Sequence, residues 1–206
     1  MDERVGSGKE RRVVVAVLAG GRARRMGAPK ATAELDGRPL ISYPLQAARE
    51  AGLDAVVLAK RTSELPPLCE RVVCEPERPH HPLCGIVTAL EYTGGPVLAV
   101  GCDMPFLSAG LLAWLARGGE EADDAAARVT RVDARLQPLP AVYLPAALPV
   151  LEASLVEERS LRATLELLEP RVVDEDALCE FGDPARLCFS VNDARDMELA
   201  TRWMEG

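Results

Sequence analysis

Residues 12–30, RVVVAVLAGGRARRMGAPK, decide how the chain is read. The first half is a valine-rich apolar run closed by glycine. Such a run reads as a short strand buried on both faces. The second half crowds Gly20, Gly21, Arg22, Arg24, Arg25, Gly27 and Lys30 into one loop. Glycines just after a strand let the backbone approach a ligand closely. Their N–H groups form a concave nest for anions, and Arg24, Arg25 and Lys30 add full charges suited to phosphate oxygens. The stretch therefore reads as a polyphosphate held against a strand end. It is neither a dinucleotide fingerprint, for it lacks GxGxxG, nor a P-loop, for it lacks GxxxxGK[ST]. GSGK at 6–9 looks like a P-loop fragment but precedes the strand, and reads as part of a flexible tail over 1–12.

Outward from this loop the style repeats. DAVVLAK (54–60) and GPVLAVGCDM (95–104) are further buried strands. Between them, 40–52 has helical spacing, with Ile41, Leu45 and Ala48 on one face, Gly52 as the stop and Pro44 as a bend or delay. Residues 85–92 and 108–117 read as helices, the second capped by Ser108. Strand, helix, strand, helix, strand is the grammar of an α/β fold with a mainly parallel sheet in three layers. Ligands on such sheets sit beyond the C-terminal ends of strands.

The second half is less regular. DDAAARV and ARLQPLPAVYL read as two strands joined by a polar turn. PAALPVLEASLVEE and SLRATLELLE read as helices, the latter capped by Ser160. RVVDE and RLCFSVND read as short strands. A last helix starts at Asp193, which with Asp196 resembles a capping box. No repeat or linker stands out, so 1–206 is expected to be a single domain.

The chain has 206 residues and a formal net charge of −8. That argues against nucleic-acid binding by bulk charge and makes a local basic pocket more informative. No apolar run is long enough to span a membrane, and the polar N-terminus argues against a secretory signal, so a cytoplasmic location is expected. The six cysteines form no CxxC pair and read as free thiols, mostly small buried hydrophobes. Cys69, Cys74, His80, His81 and Cys84 fit no zinc spacing and read as a proline-rich loop over the ligand. Trp114 and Trp203 read as packing residues.

Asp103 follows the strand PVLAVGC and precedes Pro105. A carboxylate at a strand's C-terminal end is well placed to ligate Mg²⁺, which needs few protein ligands when phosphates supply the rest. A phosphate cradle on one strand end and a metal carboxylate on another make a nucleoside-triphosphate site.

These motifs resemble a known family. LAGGRARRMGAPK is similar to the LAGG-x-x-x-RMG-x-x-K signature of the molybdenum cofactor guanylyltransferases, within the MobA-like nucleotidyltransferases. The likeness continues through LDGRPLI, PLCGI (82–86), CDMPFL (102–107), QPLPAVY (137–143) and VNDARDMELA (191–200). It implies a Rossmann-like fold of nucleotide-diphospho-sugar transferase type. It implies transfer of GMP from GTP to molybdopterin, with Mg²⁺ and release of pyrophosphate. It also implies transient contact with proteins of cofactor biosynthesis or molybdoenzyme maturation.

By the same resemblance Leu18, Ala19, Gly20 and Gly21 hold the nucleotide. Arg25 and Lys30 contact the triphosphate, Asp103 binds the metal, and Asn192 serves the acceptor side or the catalytic centre. Three positions depart from the family pattern. Glu75 stands where an aspartate contributes to nucleotide recognition. Leu58 and Lys60 stand near an expected asparagine after the second strand. Ser190 replaces the first asparagine of an NVN-type motif. CTP or another phosphorylated acceptor, and a nucleotide-binding module without turnover, stay open as alternatives. A second glycine in LAGG leaves room near the base and favours the larger purine.

Overall fold

The structure is a computed structural model that describes residues 12–20, 29–118 and 125–205. Its centre is a seven-stranded sheet, built on β1 (Val14–Leu18), the strand of the opening stretch. β4 (Ala55–Ala59) and β6 (Val97–Gly101) flank β1, and β5 (Arg71–Cys74) lies outside β4. These four are mutually parallel. β8 (Arg135–Tyr143) follows β6 antiparallel, then β7 (Ala127–Val132) and β9 (Arg171–Val173) complete the sheet. β8 alone runs against the other six, so the sheet is mainly parallel as expected.

Side-chain alternation along β1 explains the layers. Val15 and Val17 face one way, Ala16 the other, and all three are fully buried. Under Val15 and Val17 pack Ile41, Leu45 and Ala48 of α1 (Ser42–Glu50) and Leu111 and Leu115 of α3 (Ala109–Ala116). Under Ala16 pack Leu83, Ile86 and Leu90 of α2 (Pro82–Thr93), with Leu151 of α4 (Leu148–Val156) and Leu165 of α5 (Leu161–Leu168) beyond them. A strand covered on both faces needs apolar residues at every position, which is why 13–18 has no polar interruption. Truncating a core leucine such as Leu111 to alanine would cost about 2–5 kcal/mol.

Local chemistry sets most boundaries. Ser108 accepts from the Leu111 N–H and Ser160 from the Ala163 N–H, so both expected caps are made. Pro44 is neither a bend nor a delay. It lies in the first turn of α1, where its missing N–H has no intrahelical partner to lose. β7 and β8 form the expected hairpin, turning through Asp133 and Ala134, both left-handed. A small hairpin, β2 (Glu34–Leu35) and β3 (Arg38–Pro39), turns at Asp36-Gly37. Asp-Gly is a hairpin signal, and here it stands between Leu35 and Arg38, which pair across the turn.

Two expectations fail. Residues 186–193 are not a strand. α6 (Glu175–Leu178) and a 3-10 turn lead into α7 (Pro184–Leu187), capped by Asp183, which accepts from the Arg186 N–H. An Asp-Pro pair starts a helical turn there, and the chain then crosses to the end of β6, where the Val191 N–H bonds the Asp103 carbonyl. The cysteines are not mostly buried either. Cys84 and Cys102 are buried, Cys188 is half-buried, and Cys69, Cys74 and Cys179 are exposed, all as free thiols. Cys74 closes β5, an edge strand whose side chains are largely in solvent.

α8 (Ala194–Glu205) begins close to a capping box. Asp193 accepts from the N–H groups of Arg195 and Asp196, but Asp196 accepts from the Asn192 N–H, one residue earlier than the standard motif. Trp203 of α8 packs on Phe106 and Phe189, and Trp114 packs on Phe181, so both tryptophans are packing residues. No helix among the described residues is long and apolar enough to cross a membrane.

Candidate active site

The four parallel strands end side by side, and each hands its next residues to one cleft of about 430 Å³. β1 delivers Leu18 and Gly20, β4 delivers Lys60, β5 delivers Glu75, and β6 delivers Gly101, Cys102 and Asp103. Lys30, His80, His81, Pro82, Gly85 and Leu139 complete the wall. This is where a parallel sheet places ligands.

At the β6 end Asp103 and Lys30 form an ion pair through Oδ2 and Nζ. The Asp103 side chain is 11% exposed, so its charge needs compensation. Lys30 Nζ also donates to Asn192 Oδ1 at 2.7 Å, and Ser190 Oγ donates to Asp103 Oδ1 at 3.1 Å. The segment 188–193 therefore clasps both groups, held in place by Val191, which is fully buried beside Leu35, Leu40 and Ala200. A hard carboxylate at a strand end, already contacting a cation, suits an oxygen-seeking divalent metal. In this arrangement the Lys30 ammonium supplies the positive charge.

Across the sheet, Glu75 is 7% and Lys60 6% exposed. The Glu75 carboxylate lies over Gly20, where an added Cβ would meet Oε1 at 1.6 Å. Gly85 is also confined, though less tightly, since a Cβ there would approach Leu18 at 2.8 Å and Glu75 Oε2 at 3.5 Å. These two glycines are small because the carboxylate and the floor of the cleft need their space. Burial raises the Glu75 pKa above the usual carboxylate range, Lys60 opposes that shift, and Glu77 adds to it. Lys60 Nζ donates to the carbonyls of Pro76 and, at 3.4 Å, Pro79. His81 caps α2, its Nδ1 accepting from the Leu83 N–H at 3.2 Å, and burial holds its pKa below the ordinary value.

The structure thus brings Leu18, Gly20, Lys30, Glu75 and Asp103 to one cleft, with Asn192 bonded to Lys30. Ala19 is buried at the end of β1, its N–H bonded to the Leu58 carbonyl. Gly21, Arg24 and Arg25 lie outside the described residues, as does nearly all of the tail at 1–12. Sequence reasoning noted Lys60 and Ser190 only as departures, and gave His81 no cap. Lys60 had a usable signal, being the first residue past the apolar strand β4, much as Gly20 follows two residues after β1. Ser190 had none, for its partner is 87 residues away.

The sequence profile of the MobA-like NTP transferase domain matches residues 15–173. A probable molybdenum cofactor guanylyltransferase of Bacillus licheniformis is 32% identical over 189 residues, covering 88% of this chain and 93% of that protein. A molybdenum cofactor guanylyltransferase of Rhizobium leguminosarum is 30% identical over 202 residues, covering 92% and 91%. Among solved structures, molybdopterin-guanine dinucleotide biosynthesis protein A from Archaeoglobus fulgidus superposes with a TM-score of 0.80 at 24% identity, covering 94% of this chain and 99% of that one. A 2-C-methyl-D-erythritol 4-phosphate cytidylyltransferase from Thermus thermophilus superposes at 0.67 and 18% identity, covering 95% and 100%. Both structural likenesses speak for the fold.

Proposed function

The chain belongs to the MobA-like NTP transferase domain family, and on that premise we propose that it is a molybdenum cofactor guanylyltransferase acting as a single domain in the cytoplasm. It is a nucleotidyltransferase whose substrates are GTP and molybdopterin. The observation that supports this most directly is the meeting of Lys30, Asp103 and Asn192 at the C-terminal end of β6, in the same cleft as Gly20 and Glu75.

The nucleotide spans the strand ends. From β6 to β5 are three strand spacings, roughly 14 Å, room for a base at one end and a triphosphate at the other. Lys30, and Arg25 five residues earlier, contact the triphosphate, and Leu18, Ala19, Gly20 and Gly21 hold the nucleoside. Glu75 accepts from the base edge. Asp103 would hold the divalent metal, Mg²⁺, that accompanies the nucleotide. When bound, it neutralises phosphate charge and draws the α-phosphorus toward attack.

A terminal phosphate oxygen of molybdopterin attacks the α-phosphorus of GTP. The new P–O bond forms as the bond to the β-phosphate oxygen breaks, and pyrophosphate leaves with that electron pair. The attacking oxygen is already anionic, so no residue has to remove a proton. Repulsion between two anions is the obstacle, and Lys30 opposes it by holding a fixed positive charge over the transferring group. Asp103 would hold the metal when it is bound, and Lys30, freed from that ion pair, would turn its ammonium to the phosphates. Asn192, released by that exchange, turns its amide to the incoming acceptor.

Pyrophosphate release measured with GTP, CTP, ATP and UTP, with molybdopterin present, tests this reading. GTP is expected to be used best. Preference for another nucleotide, or binding without release, overturns it.

A further inference from the structure

We propose that Lys60 reads the O6 oxygen of guanine and, beside Glu75, sets the preference for a guanine base. The proposal rests on the guanylyltransferase reading above and adds to it a specificity residue that departs from the family motif.

Lys60 and Glu75 end neighbouring strands, β4 and β5, and both line the cleft although each is more than nine-tenths buried. A lysine ammonium has three donors and no acceptor. Two are spent on the Pro76 and Pro79 carbonyls, which pin the head group and leave one N–H for the cleft. An ionised carboxylate is the opposite, with acceptors only. No donor among the described residues reaches the Glu75 oxygens. The floor thus offers one donor next to two adjacent acceptors.

Only one base edge complements that order. Guanine presents the O6 acceptor beside two adjacent donors, N1–H and the 2-amino group. Adenine sets its amine beside one ring acceptor, and cytosine sets its amine beside a ring nitrogen and a carbonyl. Uracil sets a single N–H between two carbonyls. For these three, either Lys60 faces a donor or one Glu75 oxygen is left unpaired in a buried place, and sites with unpaired buried groups discriminate strongly. Lys60 has a second effect through its charge. It works against the burial that raises the Glu75 pKa.

The test is equilibrium binding of GTP, 6-thio-GTP, ATP, CTP and UTP, each with Mg²⁺, to the full chain and to Lys60→Met. 6-thio-GTP keeps both donors of guanine but replaces O6 with a weak acceptor. The wild type is expected to bind GTP about 10–100-fold more tightly than 6-thio-GTP. Lys60→Met is expected to lose that factor for GTP, bind the two guanine nucleotides alike, and hold the other three as before. A wild type that prefers GTP but binds 6-thio-GTP equally well overturns the role of Lys60 alone, with no variant needed. Equal weakening of every nucleotide in Lys60→Met also overturns it, leaving Lys60 as a strut for the 76–79 loop. A wild type that prefers CTP overturns the proposal together with the reading beneath it.

Discussion

Lys30 donates its ammonium to Asp103 across 73 residues of chain, and the two groups expected to meet a triphosphate and its metal meet each other. Each satisfies the other's charge until the substrate arrives. Removing one therefore strands the other in a largely buried place.

Lys30→Ala is expected to lower turnover by about 10²-fold or more, as for loss of one preorganised transition-state contact. Steady-state pyrophosphate release measures it. Near-normal turnover would remove Lys30 from the chemistry.

Ser190 orients Asp103 through a hydroxyl at 3.1 Å. Ser190→Ala is expected to raise the half-saturating Mg²⁺ concentration by roughly tenfold, the low end for loss of a group that orients a metal ligand. Ser190→Thr should restore it. A Mg²⁺ titration identical in Ser190→Ala and wild type would show that Asp103 needs no such help.

Gly20→Ala puts a methyl group on the Glu75 carboxylate. That carboxylate is the end of a flexible side chain, so the fold should survive while Glu75 turns away. The expected result is a KM for GTP raised on the order of tenfold with little change in melting temperature. A normal KM would mean that Glu75 does not touch the base.

Burial raises the Glu75 pKa. The folded protein then holds this proton more tightly than the unfolded chain, and stability falls as pH rises from the ordinary glutamate range through the raised value. Glu75→Gln removes that penalty. At neutral pH the variant should melt higher, by a few degrees at most in order of magnitude, and the advantage should vanish at low pH. It should also lose the preference for GTP. Thermal melts at pH 4 and 7 decide it, since a variant less stable at both contradicts the expectation.

His81 works in the opposite sense. Its Nδ1 must be unprotonated to accept from Leu83, and burial depresses its pKa. The unfolded chain takes up the proton first, so stability is lost as pH falls below about 6.5 toward the depressed value. His81→Asn offers a cap that does not titrate and should lessen the acid loss, by about 1 kcal/mol for one cap. Parallel acid melts of the two proteins would disprove this.

Much of the fold was legible because its cause is local. The apolar run at 13–18, the caps Ser108 and Ser160 and the β7–β8 hairpin follow from periodicity and short-range hydrogen bonding. Loop charge and strand-end position pointed to Lys30 and Asp103, and the resemblance added Glu75 and Asn192 as site residues. RLCFSVND misled because alternating apolar residues look alike in a strand and in a clasp. The difference is whether a neighbouring strand is there to pair with them.

By itself the sequence determined that a strand buried on both faces is followed at once by a glycine-rich, cationic stretch, because backbone freedom and hydrophobic periodicity are properties of nearby residues. Only the tertiary structure decided that Lys30 contacts Asp103, that Ser190 and Asn192 clasp the pair, and that Lys60 and Glu75 stand side by side. Those relations join residues far apart in the chain, and the order in which parallel strands pair is what brings them together.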